Sequence, residues 1–195
     1  MAFGGVNPPE MNARALGQVV SANSGVLGTD VSIQVEVLVT PDGKPVSCRV
    51  VHGDASDKVK RAGCEAFLMA VPMKPAKLDD TPTYGVMSSG ISLASSSAFR
   101  KKMKSDFWYN VELEVAGLPK DLAKDPTVSI RTAIGADGAL LRCVGEPERA
   151  ALVGAACAEL GRNAPLPVIT DASGEPVPYV RSYNVRFNVR NEASK

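Results

Sequence analysis

Four cysteines fall into two copies of one pattern, about half a chain apart. The first copy runs Asp42-Gly43, then Cys48, then Val59-x-x-Ala62-x-Cys64-x-x-Phe67. The second runs Asp137-Gly138, then Cys143, then Leu152-x-x-Ala155-x-Cys157-x-x-Leu160. A turn signal, a cysteine after it and a second cysteine on an apolar spacing of three and four recur in the same order. The chain is therefore expected to hold a duplicated unit, each copy with its own cross-link. Two units of roughly 100 residues bury only about 60–70 % of the surface their unfolded chains expose, so a covalent staple helps them.

Local patterning fills in each copy. Residues 1–30 are rich in Gly, Asn, Ser and Pro and read as a loose lead-in, with a short helix or strand around Arg14–Val20. Val31, Ile33, Val35 and Val37 then alternate with Ser32, Gln34, Glu36 and Leu38, which is the period of a half-buried strand. Thr40-Pro41-Asp42-Gly43 turns the chain, and Val46, Cys48 and Val50 share one face of a return strand. After a capping region at Asp54–Asp57, the segment to Val71 places Val59, Ala62, Gly63, Ala66, Phe67 and Ala70 on one helical face, and Pro72 and Pro75 stop it. Tyr84–Leu93 gives a third strand, with Met87, Ser89, Ile91 and Leu93 on one face. The second copy repeats this order. It has a hairpin from 128–134 and 139–144, a helix from Glu148 to Leu160 ended by Gly161, Pro165 and Pro167, and a last strand within 178–190. Phe107–Val115 is an extra strand ahead of it. The expected fold is α+β: two tandem β-hairpin–helix–strand units, each an antiparallel sheet with a helix on one face. The divisions fall at 1–97 for the first domain, 98–105 for a basic linker and 106–195 for the second domain.

In each copy the first cysteine lies on the core side of the returning strand, and the second lies on the helix that must cover that side. Four cysteines permit three connectivities. The repeat selects Cys48–Cys64 and Cys143–Cys157, each closing a local loop. The alternatives are four buried free thiols, since cysteine is a good small core residue, and a zinc site, although the tight Cys-x-x-Cys pairs usual in zinc sites are missing. Paired cysteines place the chain in an oxidising compartment.

Other chemistry finds little material. With 22 basic and 21 acidic residues the net charge is +1, which gives no global reason to expect nucleic acid. No apolar run reaches the length of a membrane helix, and Met1–Gly5 lacks the layout of a signal peptide, so either a signal has been removed or the protein stays in the cytosol; the cysteine pattern favours the first. His52 is the only histidine and falls in a loop context; a hydrolase built on it has no nucleophile elbow to support it. Asp42 and Asp137 are turn residues, not a carboxylate pair. Gly43, Gly138 and Gly174 sit in turns, not in a phosphate loop. No metal or cofactor site is expected. Arg100, Lys101, Lys102 and Lys104 form a solvated linker, or else a patch for an anionic partner.

The layout resembles the C-terminal domain of TonB-type energy transducers. The resemblance rests on Val35-Glu36-Val37-Leu38-Val39-Thr40-Pro41-Asp42-Gly43-Lys44-Pro45-Val46 with the helix exit Met73-Lys74-Pro75-Ala76. It rests equally on Asp137-Gly138, the following helix, Leu166-Pro167-Val168 and Gly174-Glu175-Pro176-Val177. It covers most of residues 31–93 and 128–190, and the strand-plus-helix cysteine pair is similar to a disulfide-bearing subgroup. The Tyr-Pro box ahead of the first strand, the membrane anchor and the Pro-rich spacer are absent from the sequence. The resemblance implies a periplasmic, non-catalytic module whose sheet edge pairs with an extended peptide of an outer-membrane transporter or another envelope protein. If the last strand is an edge, Asn184, Arg186, Asn188 and Arg190 are the candidate partner-reading residues. Alternatively the two units set their edges against each other, leaving a structural tandem with no peptide site.

Overall fold

A computed structural model describes residues 5–53, 55–70, 72–99, 111–118 and 126–189. The basic run at Arg100–Lys104 and Arg190 lie outside the described residues. The alternating apolar segment forms β2 (Val31–Val39), turned by Asp42-Gly43 into β3 (Pro45–His52). Helix α3 (Asp57–Met69) follows, then β4 (Ala76–Leu78) and the long β5 (Thr81–Leu93). In the second half β6 (Val111–Val115) precedes the hairpin β7 (Thr127–Ile134) and β8 (Leu140–Gly145). A 3-10 turn at Pro147–Arg149 leads into α4 (Ala150–Arg162), followed by the short β9 (Ile169–Thr170) and β10 (Pro176–Val177) and by β11 (Tyr179–Val189). The chain is thus mixed α and β with one dominant sheet.

That sheet is shared by both halves. Its strands run β3-β2-β5-β11-β7-β8, and the join is a parallel pairing of β5 with β11 at Tyr84↔Tyr179, Gly85↔Val180 and Val86↔Arg181. The expectation of a separate antiparallel sheet in each unit is therefore corrected. β5 and β11 close their own halves by antiparallel pairing with β2 and β7, and each also pairs with the other over three residues, while β4 and β6 pair further stretches of these two strands. Equivalent strands that run side by side in the same direction are related by a rotation about an axis along the strands. That rotation turns the sheet over. The two helices must then lie on opposite faces, and they do. Ile33, Val35, Val37 and Val39 of β2 pack with Ala66 and Phe67 of α3. Leu38, on the opposite side of β2, packs instead with Leu152, Ala156 and Leu160 of α4, together with Tyr179, Tyr183, Val185 and Phe187.

Each helix covers one half of one face, so the remaining halves need other covers. The lead-in supplies one of them and is more ordered than its composition implied. Asn12 caps α1 (Ala13–Ala22) by accepting from the Ala15 amide, and Leu16 joins the α3 core. β1 (Val6–Asn7) pairs with β4, and Val6 and Ala76 close over Ala133 and Val180 of the second half. Arg142 of β8 donates to both oxygens of Asp79 at the β4–β5 turn, at 2.6 and 3.0 Å, and this contact holds that cover down. A second short helix, α2 (Ser24–Leu27), ends the lead-in.

The repeated motif has a repeated physical cause. Ser56, three residues before Val59, caps α3 by accepting its amide. Gly43 and Gly138 both take positive φ, 81° and 82°. Their carbonyls accept the amides of Met73 and Leu166, so each helix exit is docked on its own Asp-Gly turn. The disulfides are Cys48–Cys64 and Cys143–Cys157, with Cα separations of 5.4 and 5.8 Å. Gly63 lets α3 approach closely enough for the first bridge, because a Cβ there would run into the Ile33 side chain. Replacing Cys143 and Cys157 together by Ala is expected to lower the unfolding free energy by about 3 kcal/mol. The measurement is the midpoint of urea unfolding against that of the unreduced parent.

Candidate functional site

Sequence patterning pointed to the last strand, and the structure encloses it. From Tyr179 to Arg186 one flank of β11 pairs with β7. The other flank pairs with β5 at 179–181 and, in parallel, with β6 from Val185↔Val111 to Val189↔Val115. Asn184 is exposed, Arg186 and Asn188 are half-buried, and Asn188 donates to Glu112 of β6 at 3.1 Å. Within 184–189 both flanks carry ladder partners only at Val185 and Arg186; Asn184 pairs with β7 alone and residues 187–189 with β6 alone, so this stretch is not a continuous free edge. Val189, which alternates with the buried Val185 and Phe187, is nevertheless 46 % exposed.

Among the described strands of the main sheet, β1, β3, β6 and β8 each have a single ladder partner, and of these β3 and β8 are the strands that return from the two Asp-Gly turns. Each is paired on one flank and stapled to its helix by the disulfide. Bulges shape both. The register of β2 with β3 skips Val46 and Val51, and that of β7 with β8 skips Leu141. These skipped residues are among the few large apolar side chains left exposed, because a bulged residue has no partner in the ladder to cover it. The regular part of β3 is thus Ser47–Val50.

Beside β3 lies a cleft of about 320 Å³. Its floor comes from Glu36 and Leu38 of β2, Val86 of β5 and Tyr179 and Arg181 of β11; Ser47 and Arg49 form the rim; and Pro167–Thr170 form the opposite wall. The α4 half supplies that wall through the segment that leaves the Gly138 turn. Tyr179 Oη donates to the Pro167 carbonyl at 2.6 Å and fixes it. Burial pushes the Tyr179 and Tyr183 phenols above their ordinary values, and Arg181 pulls them back only in part, so both stay neutral donors at physiological pH.

The chemistry of the cleft is a three-member ion cluster. Glu36 is only 8 % exposed. Its Oε1 accepts from Arg181 Nη2, and its Oε2 accepts from Arg49 Nε at 2.8 Å and Nη2 at 2.5 Å. Arg181 is 7 % exposed and lies over the Tyr183 ring, 4.6 Å from its centre. Its Nε has no hydrogen-bond partner among the described residues. Arg49 differs, since about two thirds of its side chain faces solvent. One carboxylate therefore serves two guanidinium groups, and the cluster carries a formal surplus of +1.

Sequence reasoning passed over all three residues. For Arg181 the signal that could have found it is the repeat itself. By register, Val37 of β2 faces Met87 and Cys48, and Thr132 of β7 faces Arg181 and Cys143. Where the first half has apolar Val and Met under its helix, the second has Thr and Arg. Thr132 is fully buried and donates its hydroxyl to the Arg181 carbonyl at 3.1 Å.

The remaining candidates stay apart. His52 ends β3, is exposed and lies outside the lining of the cleft. Among the described residues no cluster of three or more His, Cys, Asp or Glu could hold a metal ion, and no helix is long and apolar enough to cross a membrane. Two disulfides are compatible with a location outside the cytoplasm. Compared with protein-family models, curated proteins and solved structures, the chain matches none.

Proposed function

We propose that this chain is a non-catalytic periplasmic module that binds an extended peptide along β3, as a tandem of two TonB-C-terminal-like domains joined through β5 and β11. The reading keeps the expectation of β-augmentation but moves it from the last strand to the first hairpin. One observation carries it: β3 pairs with β2 alone among the described residues, and its regular stretch Ser47–Val50 borders a charged cleft. An added strand would gain backbone hydrogen bonds along that stretch and set alternate side chains beside Ser47 and Arg49. Four residues offer few such bonds, each worth about 0.5–1.5 kcal/mol net, so the cleft must supply much of the affinity. An envelope protein with an unstructured segment, such as an outer-membrane transporter, is the partner class this implies.

The test is amide hydrogen exchange with and without a pool of acetylated heptapeptides. Slowed exchange over Ser47–Val50, with β6 and β8 unchanged, is the expected result. Slowing confined to β6 or β8, or none at all, overturns the assignment to β3. A second reading, a scaffold without a peptide site, is favoured by the β5–β11 pairing, which absorbs the strand that each half would otherwise leave open.

A further inference from the structure

We infer that the Glu36–Arg49–Arg181 cleft is a subsite for a carboxylate carried on an apolar residue, namely the free C-terminus of the peptide that pairs with β3. This rests on β3 being the peptide template, and it goes further by naming which end of the peptide is bound and what chemistry recognises it.

Charge is the first ground. Both oxygens of Glu36 are engaged, one by each arginine. The carboxylate is buried, and no acidic side chain other than Glu36 lines the cleft. The surplus positive charge therefore has no described partner within it. Arg181 cannot move to meet solvent, because it is enclosed between Glu36 and the Tyr183 ring. Arg49 can meet it, being on the rim and mostly exposed. It commits Nε and Nη2 to Glu36, which leaves Nη1 for another acceptor. A guanidinium so oriented still offers the Nη1 hydrogens and the outer Nη2 hydrogen at the end of its fork, where a second carboxylate can accept end-on.

The second ground is the lining. Apart from the cluster, the side chains facing the cavity that can hydrogen-bond are hydroxyls, those of Ser47, Thr170 and Tyr179, and the Tyr179 proton is already given to Pro167. The rest is apolar: Leu38, Val86, Pro167, Val168 and Ile169, with the disulfide-bonded Cys48. Donors at the rim and hydrocarbon on floor and wall fit a ligand that is anionic at one point and apolar beside it. A phosphate or sulfate has the charge without the apolar body. An aliphatic C-terminal residue has both. The volume is at the small end of the range for ligand sites, about 300–1,000 Å³, which suits one residue better than a longer segment.

Register is the third ground. Ser47 and Arg49 alternate on the cleft side of β3, whereas Cys48 between them points to α3. The bulge at Val46 ends the regular ladder at one end of this stretch and the bulge at Val51 ends it at the other. A strand added to β3 must stop there, and a chain that ends beside Arg49 leaves its carboxylate where the surplus charge is.

The experiment presents the intact, disulfide-bonded protein with two acetylated heptapeptide pools. Six positions are randomised and the last is Leu, with a free carboxylate in one pool and an amide in the other. Retention is read by mass spectrometry, and binding of retained peptides by fluorescence anisotropy. The free-acid form is expected to bind about tenfold more tightly than its amide, as for one charged hydrogen-bonded contact. Arg49→Gln is expected to remove that difference while both forms still bind at the amide's level. Ser47→Glu, which leaves the ion cluster intact, is expected to do the same by like-charge repulsion, so a folding defect in one variant does not decide the matter. Equal binding of acid and amide overturns the carboxylate subsite and leaves the β3 template standing. Retention of neither pool overturns the template, and the subsite with it. Displacement of the bound peptide by N-acetyl-leucine at equal concentration shows a small-acid pocket and overturns the peptide assignment.

Discussion

Glu36→Leu is expected to destabilise the protein by about 3–5 kcal/mol, the cost of leaving a buried guanidinium without its counter-charge. Glu36 joins β2 of the first half to Arg181 of the last strand, across the line where β5 meets β11. Without the carboxylate, Arg49 can turn to water, but Arg181, 7 % exposed, keeps only the Tyr183 ring. The reverse change, Arg181→Met, is expected to cost less, because Glu36 then keeps its two hydrogen bonds from Arg49. The double variant Glu36→Leu with Arg181→Met is expected to recover most of the loss, since apolar side chains of similar volume replace a buried pair at little net cost. Urea unfolding of the four proteins closes the cycle and gives the coupling directly. If Glu36→Leu unfolds within about 1 kcal/mol of the parent, the pair is hydrated and the cleft is not the closed electrostatic site described above.

Gly138→Ala is expected to cost about 4 kcal/mol, through two effects at one position. Its φ of 82° lies where an alanine is strained by about 1–3 kcal/mol. A Cβ would also collide with the Leu166 carbonyl oxygen and touch Pro165 at 3.0 Å. The turn and the helix exit would then have to part, with loss of the 2.8 Å hydrogen bond from Leu166 to Gly138. Pro167–Thr170, the cleft wall, begins one residue later, so the same change is expected to weaken peptide binding. Gly154→Ala is the control. It lies in α4 with nothing within 4 Å of the added methyl, and it is expected to be neutral or to gain up to about 1 kcal/mol. Thermal unfolding of the two variants beside the parent checks both. A Gly138→Ala protein as stable as the parent would mean that the turn and the exit are not held together.

Much of each half was legible because its signals are local. Period two in Val31–Val39, Asp-Gly after it and the apolar spacing from Val59 to Phe67 specify strand, turn and helix from neighbours in sequence. The cysteine pairs were legible because they repeat. The lead-in misled because its Gly, Asn and Pro content hides specific jobs: Asn12 is a helix cap, and Pro9 packs against Gly85 so closely that a Cβ there has no room. The join of β5 and β11 left no local trace. A strand that alternates does not say which neighbour it will pair with, and parallel pairing between distant strands has no turn to announce it. Glu36 looked like one more outward polar residue of a half-buried strand. Only the other half, folded against it, makes it interior.

The turned-over relation of the two halves has a consequence for any attempt to take them apart. Each half is roofed on one face by its own helix and on the other, in part, by a piece of its sister: Val6 and Ala76 cover the second half, and the 167–170 segment walls the first. A cut between them would therefore open both β5 and β11 as raw edges, bare a sheet face on each fragment, and strand Glu36 and Arg181 in different molecules. Separate fragments are the species most prone to stick to one another, so the two repeats are expected to fold and unfold as one body.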